Sequence, residues 1–480
     1  MHEDDPIEAI ATALLRYLRE RGADLDVVRF AGPEELAESF GAIGLDLNGP
    51  QPALSPDALV GAVETVLTWA VRTQHPRFFN QNFAGADPVA VMGDWLIAAL
   101  NTSAATYEMA PVFTMMERAA LARMADLVGF TPFDGVFGPG GSLNNLFAMQ
   151  LARHRRVPEA KQRGDTTRWA VFVSERAHYS FRKATSLLGM GTDALITVAC
   201  DPTGAMDPAA LQAAIADTDR VPLMIGATAG STVLGAFDPL DALADIAAEH
   251  SLWLHVDGCY GASTLVSERW KHLMAGVERA DSLAWNPHKL LGVTQQCSAL
   301  LTRHPGLLTD AFASGADYIF QTDKLYSELD SGDKTFVCGR RADVVKLWLT
   351  WKARGDAGLE ARVDHVFDLA AHLARRLRDD PRFVIASPPS FTHVCFWWVP
   401  PDLRPFSFDA STEEERLRLH RVAPVIKDQM QREGTAMVGF QPLGERPNFF
   451  RMLFINPAVT PADVDAVIEL IDRYGMAAFG

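Results

Sequence analysis

The chain has 480 residues, of which 48% are hydrophobic, including 27 phenylalanines and 10 tryptophans, enough for a substantial core in two or three lobes. Lysine and arginine number 44 against 60 for aspartate and glutamate, and the net charge of −16 opposes nonspecific binding to nucleic acid. The five cysteines are scattered and include no CxxC pair, which argues against a disulfide framework and a structural zinc site.

The N-terminal sequence MHEDDPIEAIATALLRYLRE is acidic and amphipathic, and no apolar stretch approaches membrane-spanning length. We therefore expect a cytoplasmic protein whose partners are neither membranes nor nucleic acid. Apolar residues recur at helical spacing through residues 1–88, which predicts an N-terminal helical segment.

From residue 89 to 349, β-rich runs alternate with helical patterns, which predicts an α/β domain with a mostly parallel sheet. The predicted strands are WAVFVS (169–174), ALITVA (194–199), PLMIGAT (222–228), LWLHVD (252–257), SLAWN (282–286) and CSALLT (297–302). Residues 350–480 predict a small C-terminal α+β domain with strands in FVIASP, HVCFWWVP and NFFRMLFIN and helices at 413–433 and 460–474. Ligands collect at the carboxyl ends of strands in such sheets, and the unusual residues lie there.

The first of these motifs is DGVFGPGGSLNN, residues 134–145, in which a glycine turn precedes a helix that is predicted to begin near Ser142. Glycines permit close backbone approach, and the free N–H groups of a helix start favour a phosphate. A tight turn before any helix looks similar. The motif lacks the GxGxxG spacing and the lysine of a P-loop, so it does not favour a dinucleotide or ATP.

Two further candidates follow predicted strands. His178 in SERAHYSFRKA could stack on a flat heteroaromatic ring, or it could be a structural histidine. Asp257 ends the apolar run LWLHVD, where a charge is costly without a cationic partner. It could instead cap the helix that follows.

The stretch AWNPHKLLG places Lys289 directly before two leucines. A lysine partly shielded from water can add to a carbonyl, although a surface lysine in a turn is the alternative. A phosphate cradle, a stacking histidine, an aspartate for a protonated ring nitrogen and an amine for an aldehyde together describe a site for pyridoxal 5′-phosphate. In it Asp257 would keep the pyridine nitrogen protonated, so that the ring accepts the electron pair released at the substrate Cα.

The motif series resembles the group II pyridoxal-phosphate-dependent decarboxylases, in the branch of the glutamate, cysteine sulfinate and aspartate decarboxylases. The resemblance runs from about residue 60 to the C-terminus and is carried by HPRFFNQ, TYEMAPVF, PGGSLNN, AHYS, ATAGST, LWLHVD, WNPHK, SGDK, CGRRADVVKLWLTWKA and NFFR. It implies a pyridoxal-phosphate-dependent transferase fold of type I with a large, mostly parallel seven-stranded sheet. It also implies a homodimer with active sites at the subunit interface.

The resemblance also assigns roles to individual residues. Lys289 would hold the cofactor, His178 would stack on its ring and Asp257 would contact the ring nitrogen. Tyr318, in GADYIFQ, would return a proton to the substrate after carbon dioxide leaves, from a loop that its small neighbouring residues make flexible. The remaining cofactor contacts would be at the phosphate end and the ring face, namely Gly141, Ser142, Asn286, His288 and Thr228.

The substrate positions that the resemblance indicates are Gln81, Phe83, Ser103, Ala105 and Arg451. Arg451 would clamp the distal acid of an acidic amino acid through its planar guanidinium. Phe83 and Ser103 resemble the cysteine sulfinate and aspartate enzymes and favour a short acid. Three departures weaken that choice: Ala105 replaces an aromatic residue, Gly258-Cys259-Tyr260 replaces Ala-Ala-Trp, and Asn82 stands where leucine is common.

These residues predict α-decarboxylation of L-aspartate to β-alanine or of L-cysteine sulfinate to hypotaurine. The alternatives are L-glutamate, or a larger substrate admitted by Ala105. Decarboxylation coupled to oxidation is disfavoured by Tyr318, because prompt protonation competes with oxygen. A protein that keeps only the fold and does not bind the cofactor is disfavoured by the presence of Lys289, Asp257 and His178.

Overall fold

The computed structural model of the protein describes residues 6–20, 22, 24–316, 318–321 and 323–480. The helices of these ranges are α1 Ile7–Arg19, α2 Pro33–Glu38, α3 Pro56–Trp69, α4 Pro88–Leu100, α5 Pro111–Val128, α6 Gly141–Arg156, α7 Ala160–Arg163, α8 Ser180–Leu187, α9 Pro208–Asp217, α10 Leu240–Glu249, α11 Leu307–Phe312, α12 Val344–Arg378, α13 Glu413–His420, α14 Val422–Arg432 and α15 Pro461–Phe479. Helix α12 is interrupted at Gly355, whose φ is +66°. Among the described helices, none is both long and apolar enough to cross a membrane.

The strands are β1 Phe78–Phe79, β2 Asp134–Gly138, β3 Trp169–Ser174, β4 Leu195–Val198, β5 Val221–Thr228, β6 Trp253–Asp257, β7 Ser282–Trp285, β8 Ser298–Thr302, β9 Phe383–Ser387, β10 His393–Trp398, β11 Met437–Leu443 and β12 Arg446–Leu453. The strands predicted from 169 to 302 all form, with ends shifted by no more than a residue or two. The helix after the glycine turn begins at Gly141, and the helical pattern at 413–433 forms two helices, α13 and α14.

The chain divides into two compact units. The larger unit comprises residues 86–370 and 387–393. Its seven-stranded sheet has the order β2-β8-β7-β6-β5-β3-β4, in which only β8 runs antiparallel to its neighbours β2 and β7 among the described strands. This is the mostly parallel seven-stranded sheet that the resemblance implies. Strand β3 is entirely buried, as expected for a sheet covered on both faces.

The smaller unit comprises residues 1–85, 371–386 and 394–480, so the N-terminal helices and the C-terminal strands lie in one unit. This unit contains most of a five-stranded mixed sheet, whose strand order is β1-β11-β12-β10-β9. The short β1 pairs in parallel with β11, with Phe78 opposite Met437 and Phe79 opposite Val438. This pairing joins the N-terminal segment to the C-terminal sheet.

Helix α15 packs so closely on the small sheet that it needs a glycine. A Cβ at Gly475 would lie 2.6 Å from ring atoms of Trp398, a fully buried side chain. By contrast, a Cβ at Gly61 on α3 of the same unit would meet no atom within 4 Å.

We predict that Gly475→Ala lowers the midpoint of thermal unfolding, because overpacking a tight core costs about 1–3 kcal/mol. The matched variant Gly61→Ala should raise the midpoint slightly, since alanine in an open helical position stabilises by about 0.5–1 kcal/mol. Differential scanning calorimetry of both variants measures the difference. Equal midpoints for the two variants would contradict the close packing of α15 on Trp398.

Candidate active site

Lys289 lies in a tight turn that follows β7 at the carboxyl edge of the large sheet. Its backbone N–H donates to the carbonyl of Asn286 at 3.0 Å, and its own carbonyl accepts from Gly292 at 3.0 Å. Leu290 and Leu291 are fully buried, while the lysine itself remains partly exposed. Its amine lies 5.9 Å from the centroid of the Tyr260 ring. The leucines anchor the turn in the core and hold the lysine at the sheet edge.

Asp257 ends β6 and is buried. Its Oδ2 accepts from Nδ2 of Asn145 at 2.7 Å, and its Oδ1 accepts from the backbone N–H of Cys259 at 3.2 Å. Burial alone would raise the pKa of Asp257, but the positive charge of Lys289 and these hydrogen bonds outweigh it, so its pKa lies below the usual value. The 3-10 helix that follows has Tyr260 as its N-cap, so Asp257 does not cap it.

His178 lies between β3 and α8, at the same edge of the sheet. Its Nδ1 is 2.9 Å from Oγ of Ser180 and accepts the Ser180 backbone N–H at 3.3 Å. Burial and the positive charges of Lys289 and Lys183 lower the pKa of His178, and Asp257 opposes them only in part. A neutral imidazole suits stacking on a flat ring, and the Tyr179 ring packs beside it with centroids 4.1 Å apart and an interplanar angle of 39°.

The turn between β2 and α6 leaves space that a side chain would fill. Gly140 has φ +113°, and no side chain caps the first turn of α6, where Ser142 is exposed. A Cβ at Gly141 would lie 2.4 Å from Sγ of Cys259 and 2.8 Å from Nδ2 of Asn286. Burial raises the pKa of the Cys259 thiol well above its ordinary value. The helix start therefore lies against a neutral thiol and an amide. Since the N–H groups of Leu143 and Asn144 already donate to the Gly140 carbonyl, the N–H groups of Gly141 and Ser142 are the ones that would face an anion.

Thr228 and His288 complete the group predicted to hold a cofactor. Thr228 ends β5 opposite Asp257, and its Oγ1 is buried without a hydrogen-bond partner in the described part of the chain. A buried hydroxyl of this kind is suited to a polar contact with a bound ligand. Nδ1 of His288 is 2.7 Å from the Cys297 carbonyl oxygen, and burial lowers the pKa of His288 to about 4.

These residues fit pyridoxal phosphate. The helix start suits a phosphate, the ionised Asp257 suits a protonated ring nitrogen, the unpartnered Thr228 hydroxyl offers a further polar contact, and Lys289 offers an amine. All of them belong to the larger unit.

Other predicted residues of the larger unit lie in loops. Oγ of Ser103 donates to the Cys338 carbonyl at 3.4 Å. Ala105 is buried, and its carbonyl accepts from the backbone N–H groups of Ser331 and Gly332 at 3.1 and 2.8 Å. Tyr318 is 81% exposed, so its side chain is available to a ligand or to another chain. Its predicted role as a proton donor stays a prediction.

The other three substrate positions belong to the smaller unit. Gln81 is exposed and Phe83 is partly buried, both just after β1. Arg451 lies on β12 opposite Gly439, and its positive charge, after burial, contributes to the lowered pKa of Lys427. Their predicted roles in substrate binding remain predictions.

The sequence did not indicate the buried side chains that support Asp257 and His178. Asn145 and His255 are both fully buried and hydrogen-bond to each other at 3.0 Å. The available signal was polarity in apolar surroundings, since His255 interrupts the apolar run LWLHVD and Asn145 faces inward from α6. A buried polar side chain must have a partner, but its identity depends on the fold.

Comparison with known proteins supports the family that the sequence motifs indicate. Residues 33–399 match the pyridoxal-dependent decarboxylase conserved domain. The chain is 46% identical over 456 residues to human cysteine sulfinic acid decarboxylase, covering 94% of this chain and 91% of that protein. The crystal structure of mouse CSAD superposes with a TM-score of 0.92 at 43% identity, covering 98% of both chains. The Oryza sativa TDC structure with PLP and tryptamine has a TM-score of 0.86 at 25% identity, covering 99% of this chain and 98% of that one.

We predict that Lys289→Ala abolishes the visible absorption band of bound pyridoxal phosphate and reduces turnover by orders of magnitude, because the aldehyde loses its amine. Lys183→Ala is the matched control, since both lysines act electrostatically on His178. It should keep the band and the activity. Absorption spectra and single-turnover assays of the purified variants measure both effects. Near-wild-type activity of Lys289→Ala would refute the assignment.

Proposed function

Because the chain belongs to the pyridoxal-dependent decarboxylase family, we propose that it removes the α-carboxylate of L-cysteine sulfinate to give hypotaurine, with L-aspartate as a second substrate. The observation that carries the proposal is the 46% identity, over nearly the whole chain, to human cysteine sulfinic acid decarboxylase. In the reaction the bond between Cα and the carboxylate breaks, carbon dioxide leaves, and a proton is added at Cα.

Pyridoxal phosphate, when bound, supplies an aldehyde and an electron-accepting ring. Lys289 would hold the cofactor through its amine. Asp257, ionised at neutral pH because its pKa lies below the usual value, would keep a proton on the ring nitrogen. Neutral His178 would face the ring and help to exclude water. In this proposal Tyr318 returns the proton to Cα, and its high exposure is compatible with a loop that closes over substrate.

The proposed choice of acid depends on Arg451, Phe83 and Ser103. A guanidinium binds a sulfinate or a carboxylate through two parallel hydrogen bonds, which a lysine cannot do. Phe83 restricts the length of the acid, so L-glutamate is the less favoured substrate. Ala105 is the residue that could admit a larger one. The scattered cysteines of the sequence support our proposal that the enzyme is cytoplasmic.

We predict that kcat/KM is highest for L-cysteine sulfinate, lower for L-aspartate and lowest for L-glutamate. Arg451→Lys should raise KM for the preferred acid by more than tenfold, about 1.4 kcal/mol. The matched control is Arg446→Lys on the same strand, whose guanidinium donates to the Ala386 carbonyl. Carbon dioxide release and amine chromatography measure the rates. A preference for glutamate, or an unchanged KM in Arg451→Lys, would contradict the proposed clamp.

We also infer that the enzyme is a homodimer, and that the apolar surface of α4 and α5 belongs to its interface. Met92, Leu96 and Leu100 lie four residues apart along α4 and are 38%, 41% and 54% exposed. Val112 and Met115 on α5 are 61% and 51% exposed. Such a row of exposed apolar side chains is typical of a surface that another chain covers.

Leu96→Glu combined with Val112→Glu is expected to shift the protein toward the monomer, because the charges would be buried without partners. Leu187→Glu on α8, where leucine is 72% exposed, provides the control and should leave the assembly unchanged. Sedimentation velocity at several concentrations distinguishes these outcomes. A wild-type monomer, or a dimer that the double variant leaves intact, would refute the inference.

A further inference from the structure

A continuous network of hydrogen-bonded side chains lies beneath the candidate cofactor site. All but one of its members are buried, and the exception, His178, lies at the site itself. The network begins with Trp253, Ser282, His255 and Asn145, in that order. It then divides into two branches, one to Asp257 and one through Ser180 to His178.

The direction of the hydrogen bonds is set by the carboxylate of Asp257, which is ionised and can only accept. Nδ2 of Asn145 therefore faces Asp257, and Oδ1 of Asn145 faces Nε2 of His255. Burial lowers the pKa of His255 to about 4, so the ring is neutral, and Nε2 must carry its single proton to donate to that oxygen. Nδ1 of His255 then accepts from the Ser282 hydroxyl at 2.8 Å, whose oxygen accepts from the Trp253 indole at 2.9 Å.

His255 in turn orients the amide of Asn145. Its Nε2 donates to Oδ1 of Asn145 at 3.0 Å, which leaves the two hydrogens of Asn145 Nδ2 facing the other way. One hydrogen is donated to Oδ2 of Asp257 at 2.7 Å and the other to Oγ of Ser180 at 2.9 Å. Both hydrogens and the oxygen of the amide are thus used.

The second branch determines which nitrogen of His178 carries hydrogen. Since Oγ of Ser180 accepts from Asn145, its own hydrogen is available for Nδ1 of His178 at 2.9 Å. The Ser180 backbone N–H also points at that Nδ1, at 3.3 Å. With two donors directed at it, Nδ1 is an acceptor, and the hydrogen of neutral His178 is on Nε2.

We propose that Asn145, oriented by His255, is a positioning residue that simultaneously fixes the carboxylate of Asp257 and the tautomer of His178. The inference rests on the proposed function, because these two residues matter as a pair only with the cofactor bound. It extends that function because one amide, the side chain of Asn145, would hold in place both Asp257, which contacts the ring nitrogen, and His178, which contacts the ring face.

Asn145 also lies on the helix whose start suits the phosphate of the cofactor. Asn145 is four residues after Gly141 on α6, which places both on one side of the helix. The helix start that suits the phosphate and the amide that holds Asp257 are therefore parts of one rigid element. Leucine has the same branching and the same number of side-chain heavy atoms as asparagine but cannot donate to either branch, so Asn145→Leu removes both contacts.

The test uses the holoenzyme and two readouts that do not depend on turnover. One is the dissociation constant of pyridoxal phosphate, and the other is the ¹⁵N chemical shift of the ring nitrogen in labelled cofactor. Asn145→Leu should raise the dissociation constant at least about tenfold, since a hydrogen bond to a charged group is lost. It should also move the shift toward that of an unprotonated pyridine. Ser180→Ala should leave the ring-nitrogen shift unchanged.

Two variants of His255 separate the effect of orienting Asn145 from the effect of changing the volume of a buried side chain. His255→Gln keeps a donor for Oδ1 of Asn145 and should hold the dissociation constant within about twofold of wild type, whereas His255→Leu should resemble Asn145→Leu. Asn448→Leu is the control for loss of a buried amide, because Nδ2 of Asn448 donates to the His420 carbonyl in the smaller unit. It should lower the thermal midpoint and leave both readouts unchanged.

Wild-type values of both readouts in Asn145→Leu would overturn the proposal. If that variant does not fold, equal values for His255→Gln and His255→Leu would overturn it instead. A wild-type protein that binds no pyridoxal phosphate would refute the proposed function, a different failure. The ¹⁵N imidazole shifts of the apoenzyme test the tautomer separately, with Nδ1 of His178 expected to be unprotonated and a protonated Nδ1 counting against the network.

Discussion

The site depends on one buried negative charge at the end of a central strand. An aspartate that loses water at the end of β6 is stable as an ion only if cations and hydrogen-bond donors replace the solvent. Lys289, Asn145 and the backbone of Cys259 provide this replacement, and the pKa of Asp257 falls below its usual value despite burial. The same carboxylate can then hold a proton on a ring nitrogen, so the requirement of the fold and the requirement of the chemistry coincide.

The order of the strands brings the other groups to that charge. Strands β5, β6 and β7 are parallel neighbours, with Thr228 paired to Asp257 and Asp257 paired to Ala284. Their carboxyl ends therefore place a hydroxyl, a carboxylate and the turn of Lys289 at one edge. Helix α6 begins at that same edge, where a side chain at Gly141 would collide with Cys259 and Asn286. The close approach of the helix start to these two side chains explains why glycine is needed there.

The local sequence predicts the central strands and three residues of the site. The strands from 169 to 302 follow from apolar runs bounded by polar turns, and Asp257, His178 and Lys289 stand out because each follows such a run. Long-range pairing was not readable from local pattern. The two residues of β1 join a sheet whose partner strand begins at Met437, and no periodicity in residues 1–88 predicts that contact. The network through Asn145 and His255 was hidden for the same reason, since a buried polar residue shows that a partner exists but not which one it is.

The most direct test of the central claim is to reduce the purified holoenzyme with borohydride, digest it and locate the pyridoxyl group by peptide mass spectrometry. Reduction fixes the cofactor to whichever amine holds it. We predict a single modified peptide, which carries the group on Lys289. A pyridoxyl group on another lysine, or none on a protein that still decarboxylates, would contradict the account.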